Sequence, residues 1–419
     1  MTSRRIAALA ATMLLSACAL NQGASSAETR GQAGSSASAS PTITTEAPTA
    51  RKQKGARKAK KVTVRVLPQI AQPGGRTAKS AKAKSAVLVQ VKPKRATAVT
   101  LQAKAGKKWK KVGSATTDRR GQHVFHAAAK RGGKAATYRV AVGKKTSKAE
   151  STERWLTSKF TDEFNGKKLS DSWEHRKQYR DPLSSRACSR GAKNAVKVKG
   201  GVVRLSVLKD KSAKKKKCRA VSDGKKQKFN YRLNGHIGTQ SSVSFKYGFA
   251  AARVKFPRAQ GQHGSFWLQP VAPDPHTANP KQAGAEIDII ESFGANAGPK
   301  GSMGLSSFTY HRIGKIRNGT YNSVKTGGYL KNVPSVLGKK DDVFKRYHVF
   351  SVEWTPKSYV FRIDGKETWR SKKGVSGTEQ YAILSLLSSD WELGRARSEK
   401  KINEQMQVDW MRIWETGGS

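Results

Sequence analysis

Gly284-Ala285-Glu286-Ile287-Asp288-Ile289-Ile290-Glu291-Ser292-Phe293 sets three carboxylates among branched apolar residues, in a chain of 419 residues whose formal net charge is +54. In an extended strand successive side chains alternate faces, so Glu286 and Asp288 share one face while Ile287 and Ile289 enter the opposite layer. Glu291 is out of phase with them. One extra residue accommodated as a β-bulge at Ile289-Ile290 returns all three acids to one face. The stretch then reads as a row of carboxylates on the floor of a groove; without the bulge it is the solvated polar face of an amphipathic strand.

Two glutamates flanking a sugar-binding cleft are what glycoside hydrolysis needs. One attacks the anomeric carbon and the other protonates the leaving oxygen, with carboxyl groups roughly 5–5.5 Å apart on the retaining route. Neighbouring carboxylates in one groove cannot all ionise easily, so at least one is expected to hold its proton near neutral pH, as a general acid must. That chemistry requires no cofactor, and no Cys/His spacing suggests a metal such as zinc.

The acid stretch resembles the active-site signature of glycoside hydrolase family 16, the laminarinase, lichenase and agarase group, in its bulged form. Other motifs follow in that family's order. Phe160-Thr161-Asp162-Glu163-Phe164-Asn165-Gly166 with Trp173 resembles its opening strand, and Tyr247-Gly248-Phe249-Ala250-Ala251-Ala252-Arg253-Val254-Lys255-Phe256-Pro257 the strand before the cleft. Phe266-Trp267-Leu268, Tyr347 to Pro356, Phe361 to Lys366 and the closing Val408-Asp409-Trp410-Met411-Arg412-Ile413-Trp414 complete the set. The resemblance implies an all-β fold, a curved jelly-roll β-sandwich (concanavalin-like) over residues 158–416. It assigns Glu286 as nucleophile, Asp288 as the group that modulates charge between them, and Glu291 as acid/base. Spacing alone does not say which glutamate is which. Trp267 matches a cleft tryptophan, with Trp173 and Trp391 as further stacking candidates, because an aromatic face suits the apolar C–H face of a pyranose. Arg253 is expected to bond sugar hydroxyls or to orient a glutamate. Tyr310 and His311 follow on the next strand. Trp354, Trp410 and Trp414, in apolar strands, read as core.

Two departures fall where subsites are built. His263-Gly264-Ser265-Phe266-Trp267 carries a histidine where many members have tryptophan, so a titratable, hydrogen-bonding ring replaces a stacking surface. Ile383 to Glu392 stands where an Asn-bearing, glycine-rich strand is common. The implied substrate is a β-linked polysaccharide, a β-glucan first. The alternatives are a transglycosylase using the same glutamates on a cell-wall or capsular polysaccharide, and a non-catalytic carbohydrate-binding protein.

The amino terminus adds an address. Arg4 and Arg5 precede the apolar run Ile6 to Leu15, which is too short to span a bilayer and reads as an export signal. Leu15-Ser16-Ala17-Cys18 resembles a lipoprotein cleavage box, with Cys18 as the lipid-bearing residue that would hold the protein at the membrane; an ordinary signal peptide cut nearby is the other reading. Residues 19–61 are Ser, Ala, Gly, Thr, Gln and Lys with almost no large apolar side chain, the composition of a disordered basic tether. Residues 62–145 turn to short alternating segments that suggest a small β-sandwich, and Thr100-Leu101-Gln102, Lys108-Trp109-Lys110 and Gly121 to Phe125 resemble bacterial immunoglobulin-like modules. Residues 146–157 read as a linker.

Residues 1–150 hold only four acids, Glu28, Glu46, Asp118 and Glu150. Such a field favours polyanions. Export, and the lack of a nucleic-acid-binding motif, point to anionic cell-wall polymers, acidic polysaccharide or anionic lipid before nucleic acid; a solvated basic face with no partner is equally open. With Cys18 assigned to lipid, Cys188 and Cys218 remain in an exported domain, and pairing them closes a loop at a gain of roughly 3 kcal/mol; the alternative is two free thiols.

Overall fold

A computed structural model describes residues 59–317, 320–338 and 341–417. The signal segment, Cys18 and nearly all of the 19–61 tether lie outside the described residues.

The carboxyl-terminal part is the expected jelly roll. Its concave sheet runs in the order Glu174–His175, Arg232–Gly238, Gln380–Leu387, His263–Pro270, Glu286–Ser292, Leu305–Arg317, Thr320–Tyr329. The convex sheet runs Val196–Val198, Val203–Leu205, Met406–Glu415, Gly248–Lys255, His348–Thr355, Ser358–Ile363, Lys366–Ser371. The core between them is filled from both sides. Phe266, Leu268, Ile287, Leu384 and Leu386 come from the concave sheet, and Ala250, Ala252, Val254, Phe350, Val352 and Met411 from the convex one.

The amino-terminal part is a small sandwich of two sheets. Lys61–Ala71, Lys84–Lys92 and Gln122–Ala127 form a three-stranded sheet. Glu150–Ser151, Thr137–Val142, Ala98–Ala105 and Lys108–Thr116, with Lys145–Thr146 on Thr137–Val142, form the other. The segment between the two parts is ordered. Glu150–Ser151 pairs with Thr137–Val142, Thr152 donates to Ala129 O at 2.6 Å, and Trp155 is buried.

These two parts share a core. The residues of Gly248–Lys255 are buried on both faces, which explains its near-continuous apolar run. Ala250, Ala252 and Val254 point into the jelly roll, whereas Phe249 and Ala251 join Val66, Leu67 and Val87 of the small sandwich. Met406–Glu415 behaves alike: Met411 and Ile413 face inward, and Trp410 and Trp414 pack under the sandwich. Ala86 and Val124, on the outer face of the three-stranded sheet, lie against Gly365 of the jelly roll. Four sheets are therefore stacked in sequence, with the concave face at one end and the five-stranded sheet at the other.

Arg253 has the parity of Phe249 and Ala251, and this corrects its expected role. It is 1 % exposed on the convex side, paired with Asp409, and donates to Gln72 O at 2.7 Å and Arg76 O at 3.1 Å. It fastens the chain segment after the first strand, where Gly74 approaches so closely that a Cβ would meet the guanidinium at 2.9 Å. Asp409 also accepts from Ala78 N at 3.0 Å, and Trp410 Nε1 donates to Gln72 Oε1 at 2.7 Å. Trp173 is corrected too: it is buried in the jelly-roll core with its Nε1 on Asp162 at 2.9 Å, away from any stacking role. Trp354, Trp410 and Trp414 are buried as expected.

Breaking a buried ion pair by removing one partner costs about 3–5 kcal/mol. Arg253→Gln is expected to lower unfolding stability by that order in denaturant titration, with KM unchanged in the folded fraction. A raised KM at undiminished stability would return Arg253 to the substrate.

Candidate active site

The acid strand Glu286–Ser292 lies at the middle of the concave sheet, and its irregularity falls where the sequence requires it. Against Leu305–Arg317, Asp288 faces Phe308 and Glu291 faces Ser306, three residues set against two. Against His263–Pro270, Phe266 faces Ile290 and Trp267 faces Asp288. The extra residue is at Ile289-Ile290, and both isoleucines are buried in the core. The Ile289 carbonyl accepts the Ser307 hydroxyl at 2.8 Å, so a polar group displaced from the ladder is not orphaned.

The bulge brings all three acids to one face, as their partners establish. Ser265, Trp267 and Gln269 alternate along the neighbouring strand and so share a face. Ser265 Oγ donates to Glu291 Oε1 at 3.0 Å, Trp267 stands opposite Asp288, and Gln269 Nε2 donates to Glu286 Oε2 at 2.8 Å. Tyr310 stands opposite Glu286 on the other side, on the same face. His311 turns away to pack on Gly374.

Electrostatics separates the acids. Burial pushes the Glu286 carboxyl up to about 7, the Glu291 charge adds to the rise, and the Gln269 amide with Arg176 and Arg186 opposes it. Asp288 is raised well above the usual carboxylate range, first by burial and then by the charges of Glu286 and Glu291; its Oδ2 is buried without a hydrogen-bond partner. Acids this close share protons as a set, so near neutral pH the row retains at least one.

Around the row the groove is aromatic and cationic. Trp267 is half-buried with Nε1 on Ser385 Oγ at 3.1 Å, and the His236 ring stacks beside it at 6.0 Å. Arg176 lies 5.4 Å from the Trp267 ring centre and donates to Gln269 Oε1 at 2.9 Å and Tyr381 OH at 3.0 Å. It thereby sets which end of the Gln269 amide meets Glu286. Burial, with Arg176 beside it, holds His236 far below its ordinary value and so neutral.

Beyond Glu291 the groove opens into a cavity of about 380 Å³ lined by Phe293, Tyr329, Trp391, Glu392 and Arg395. Phe293 is 6.0 Å from Trp391 and 5.9 Å from Tyr329, ring centre to ring centre. Trp391 thus stands at the groove, on the helix Asp390–Arg395. His263, expected at the substrate, is instead buried behind Phe293, with Nδ1 on Glu392 Oε1 at 2.7 Å. Burial pulls its pKa down, but the Glu392 charge and hydrogen bond outweigh burial and hold it above the ordinary value. Ser389 N donates to the same carboxylate at 2.7 Å, capping the helix. The helix is fixed from the other side by Asp390, which accepts Ala187 N at 2.8 Å and Cys188 N at 3.0 Å. Cys188 is disulfide-bonded to Cys218.

Sequence reasoning missed Gln269, Arg176, Phe293 and Tyr329. Gln269 and Phe293 had a signal: each continues the two-residue alternation from Trp267 and Glu291. Arg176 and Tyr329 come from distant segments that carried none. No group of His, Cys, Asp or Glu among the described residues is arranged to hold a metal ion.

A jelly roll with paired carboxylates and aromatic rings across one open groove defines a polysaccharide-directed glycosidase. Residues 155–416 match the family described as Beta-porphyranase A-D, GH16 domain, and the chain belongs to glycoside hydrolase family 16. Among curated proteins it is similar to Glucan endo-1,3-beta-glucosidase A1 of Niallia circulans, 26% identical over 195 residues, 43% of this chain and 26% of that one. It is also similar to Gram-negative bacteria-binding protein 3 of Drosophila melanogaster, 27% identical over 140 residues, 33% of this chain and 26% of that one. The chain thus spans about a quarter of the length of these curated relatives. Similar solved structures include the endo-beta-1,3-glucanase of Pyrococcus furiosus, with 18% identity and TM-score 0.45 over 62% of this chain and 95% of that one. Porphyranase B of Zobellia galactanivorans has 18% identity and TM-score 0.43 over 61% of this chain and 90% of that one.

Gln269→Leu removes the amide that stabilises the charged form of Glu286, so its pKa is expected to rise above about 7, measured by carboxyl carbon shifts in an NMR titration. An unmoved titration would mean the amide does not hold that carboxylate.

Proposed function

We propose that this protein is an exported, retaining endo-glycoside hydrolase that cleaves a β-linked polysaccharide, with β-1,3 or mixed-linkage glucan as first substrate. Glu286 attacks the anomeric carbon while Glu291 gives its proton to the leaving glycosidic oxygen. Water, deprotonated by Glu291, then releases the sugar from Glu286. Asp288, buried between them with a raised pKa, keeps the row from carrying three charges at once. Trp267 and the Phe293–Tyr329–Trp391 cavity hold sugar rings on either side of the broken bond. The observation that carries the reading is the single bulge at Ile289-Ile290, which sets Glu286 and Glu291 on one face of the groove. Two of the similar proteins are named for 1,3-β-glucan and one for porphyran, so laminarin, lichenan and porphyran form the assay panel.

The first test is reducing-end release from that panel, with anomeric protons followed by NMR. Product of retained configuration is expected; an inverted product ends the double-displacement reading. Sugar-to-sugar transfer in place of hydrolysis would make it a transglycosylase. Glu286→Gln is expected to lower kcat by at least about 10³-fold. The same variant makes a stability prediction of fixed sign. Below the unfolded pKa of 4.5 native and unfolded chains both hold the proton, so the substitution changes little. Between 4.5 and about 7 the native state alone holds it, and stability falls as pH rises. Glu286→Gln is therefore expected to raise Tm by a few degrees at pH 8 and not at pH 4.

Export rests on the signal-like segment and Cys18, which we propose carries lipid. Cys18→Ser should move the protein from the membrane to the soluble fraction. We further assign the basic amino-terminal sandwich, immunoglobulin-like by its sequence motifs, to contact with anionic polymers.

A further inference from the structure

The end of the stack remote from the groove is built differently from a merely soluble surface. Between residues 60 and 150 there are 24 lysines and arginines against two acids, Asp118 and Glu150. Neither acid is free: Asp118 accepts from Arg120 Nε at 3.0 Å, and Glu150 accepts from Val66 N at 2.9 Å. On the five-stranded sheet, Val99, Leu101, Ala103, Tyr138 and Val140 point into the sandwich, so Thr100, Gln102, Lys104 and Arg139 stand on its outer face. Trp109 pairs with Lys104 in the ladder and joins that face.

Arg139 is fixed there. Its Nε donates to Gln102 Oε1 at 2.7 Å, and its guanidinium lies 4.4 Å over the Trp109 ring. Lysines on an edge strand such as Lys108–Thr116 deter pairing with another chain, which accounts for Lys108, Lys110 and Lys111. It does not account for an indole and an oriented guanidinium on a face that no core covers. Like charges at this density repel one another, and a polyanion relieves that repulsion.

We propose that this outer face, centred on Trp109 and Arg139, is a second binding site, for an acidic polysaccharide. The indole stacks on a sugar ring, Gln102 bonds hydroxyls, and Arg139 with the lysines pairs with the anionic groups. A lipid surface suits it less, because Trp109 lies beneath Arg139 rather than protruding for insertion. Duplex DNA suits it less, because its bases offer the indole no open face. The site is at the opposite end of the stack from Glu286, so a molecule held by it keeps its groove open to substrate. The assignment is independent of the roles given to Glu286 and Glu291.

The probe is polygalacturonate, immobilised and titrated with the full chain at 50 and 500 mM salt, with single-stranded DNA and phosphatidylglycerol vesicles in parallel. Trp109→Ala with Arg139→Gln is expected to weaken polygalacturonate binding at least tenfold, with turnover and Tm unchanged. Lys130→Gln, on the separate hairpin Lys130–Arg131 and Lys134–Ala135, removes the same single charge and is expected to weaken it less than threefold. Equal losses in the two variants would mean diffuse charge attraction and overturn the site. So would a tighter, Trp109-dependent affinity for DNA or vesicles, and so would binding that survives the double variant.

Discussion

A β-strand allots its side chains strictly by twos, and the groove depends on breaking that rule once. Without the extra residue at Ile289-Ile290, Glu291 would exchange places with an isoleucine, burying a carboxylate in the core and exposing an apolar side chain. Two compensations hold the irregularity: both isoleucines fill the core, and Ser307 satisfies the displaced carbonyl. The neighbouring strand then supplies a matched row, with Ser265 on Glu291 and Gln269 on Glu286. The positions of the acids are thus set by backbone pairing, and their charges by what lies beside them.

Much of this was legible because it follows from local periodicity. The bulge could be located from the spacing of Glu286, Asp288 and Glu291, and the pairing of Cys188 with Cys218 from the cysteine count. What periodicity could not supply was which face of a doubly buried strand belongs to which core. Arg253 alternates correctly with Phe249 and Ala251, but nothing in Gly248–Lys255 reveals that this side meets another sheet instead of sugar. Trp173 misled for a related reason. Its ring and its Nε1 bond to Asp162 are both internal, and a tryptophan near a family motif looks the same in sequence whether it stacks on substrate or fills a core. Residues 146–157 read as a linker because Lys, Ser and Thr dominate them; that composition does not reveal that Glu150–Ser151 pairs with Thr137–Val142 or that Trp155 is buried.

The wall of the groove beyond Glu291 shows how distant segments are made to act together. The helix Asp390–Arg395 is held at its start through Glu392, which serves His263 and Ser389 at once, and through Asp390, which caps the backbone beside Cys188. Trp391 and Arg395 are thereby carried by an element tied to the strand His263–Pro270 and to the segment at the disulfide-bonded Cys188. His263 gives this wall a buried contact with Glu392 that fastens the helix to the groove strand. The aromatic surface of the wall is supplied by Phe293, Tyr329 and Trp391.

The shared core has a corollary for recombination. Trp410 and Trp414 turn an apolar surface outward from the jelly roll, and the Arg253–Asp409 pair finds its remaining partners in the backbone of residues 72–78. Recombination that spliced this catalytic unit behind an unrelated module would leave those groups facing water. A catalytic unit beginning near Trp155 would therefore need, from any other module placed before it, carbonyls for that guanidinium and a lid for both indoles.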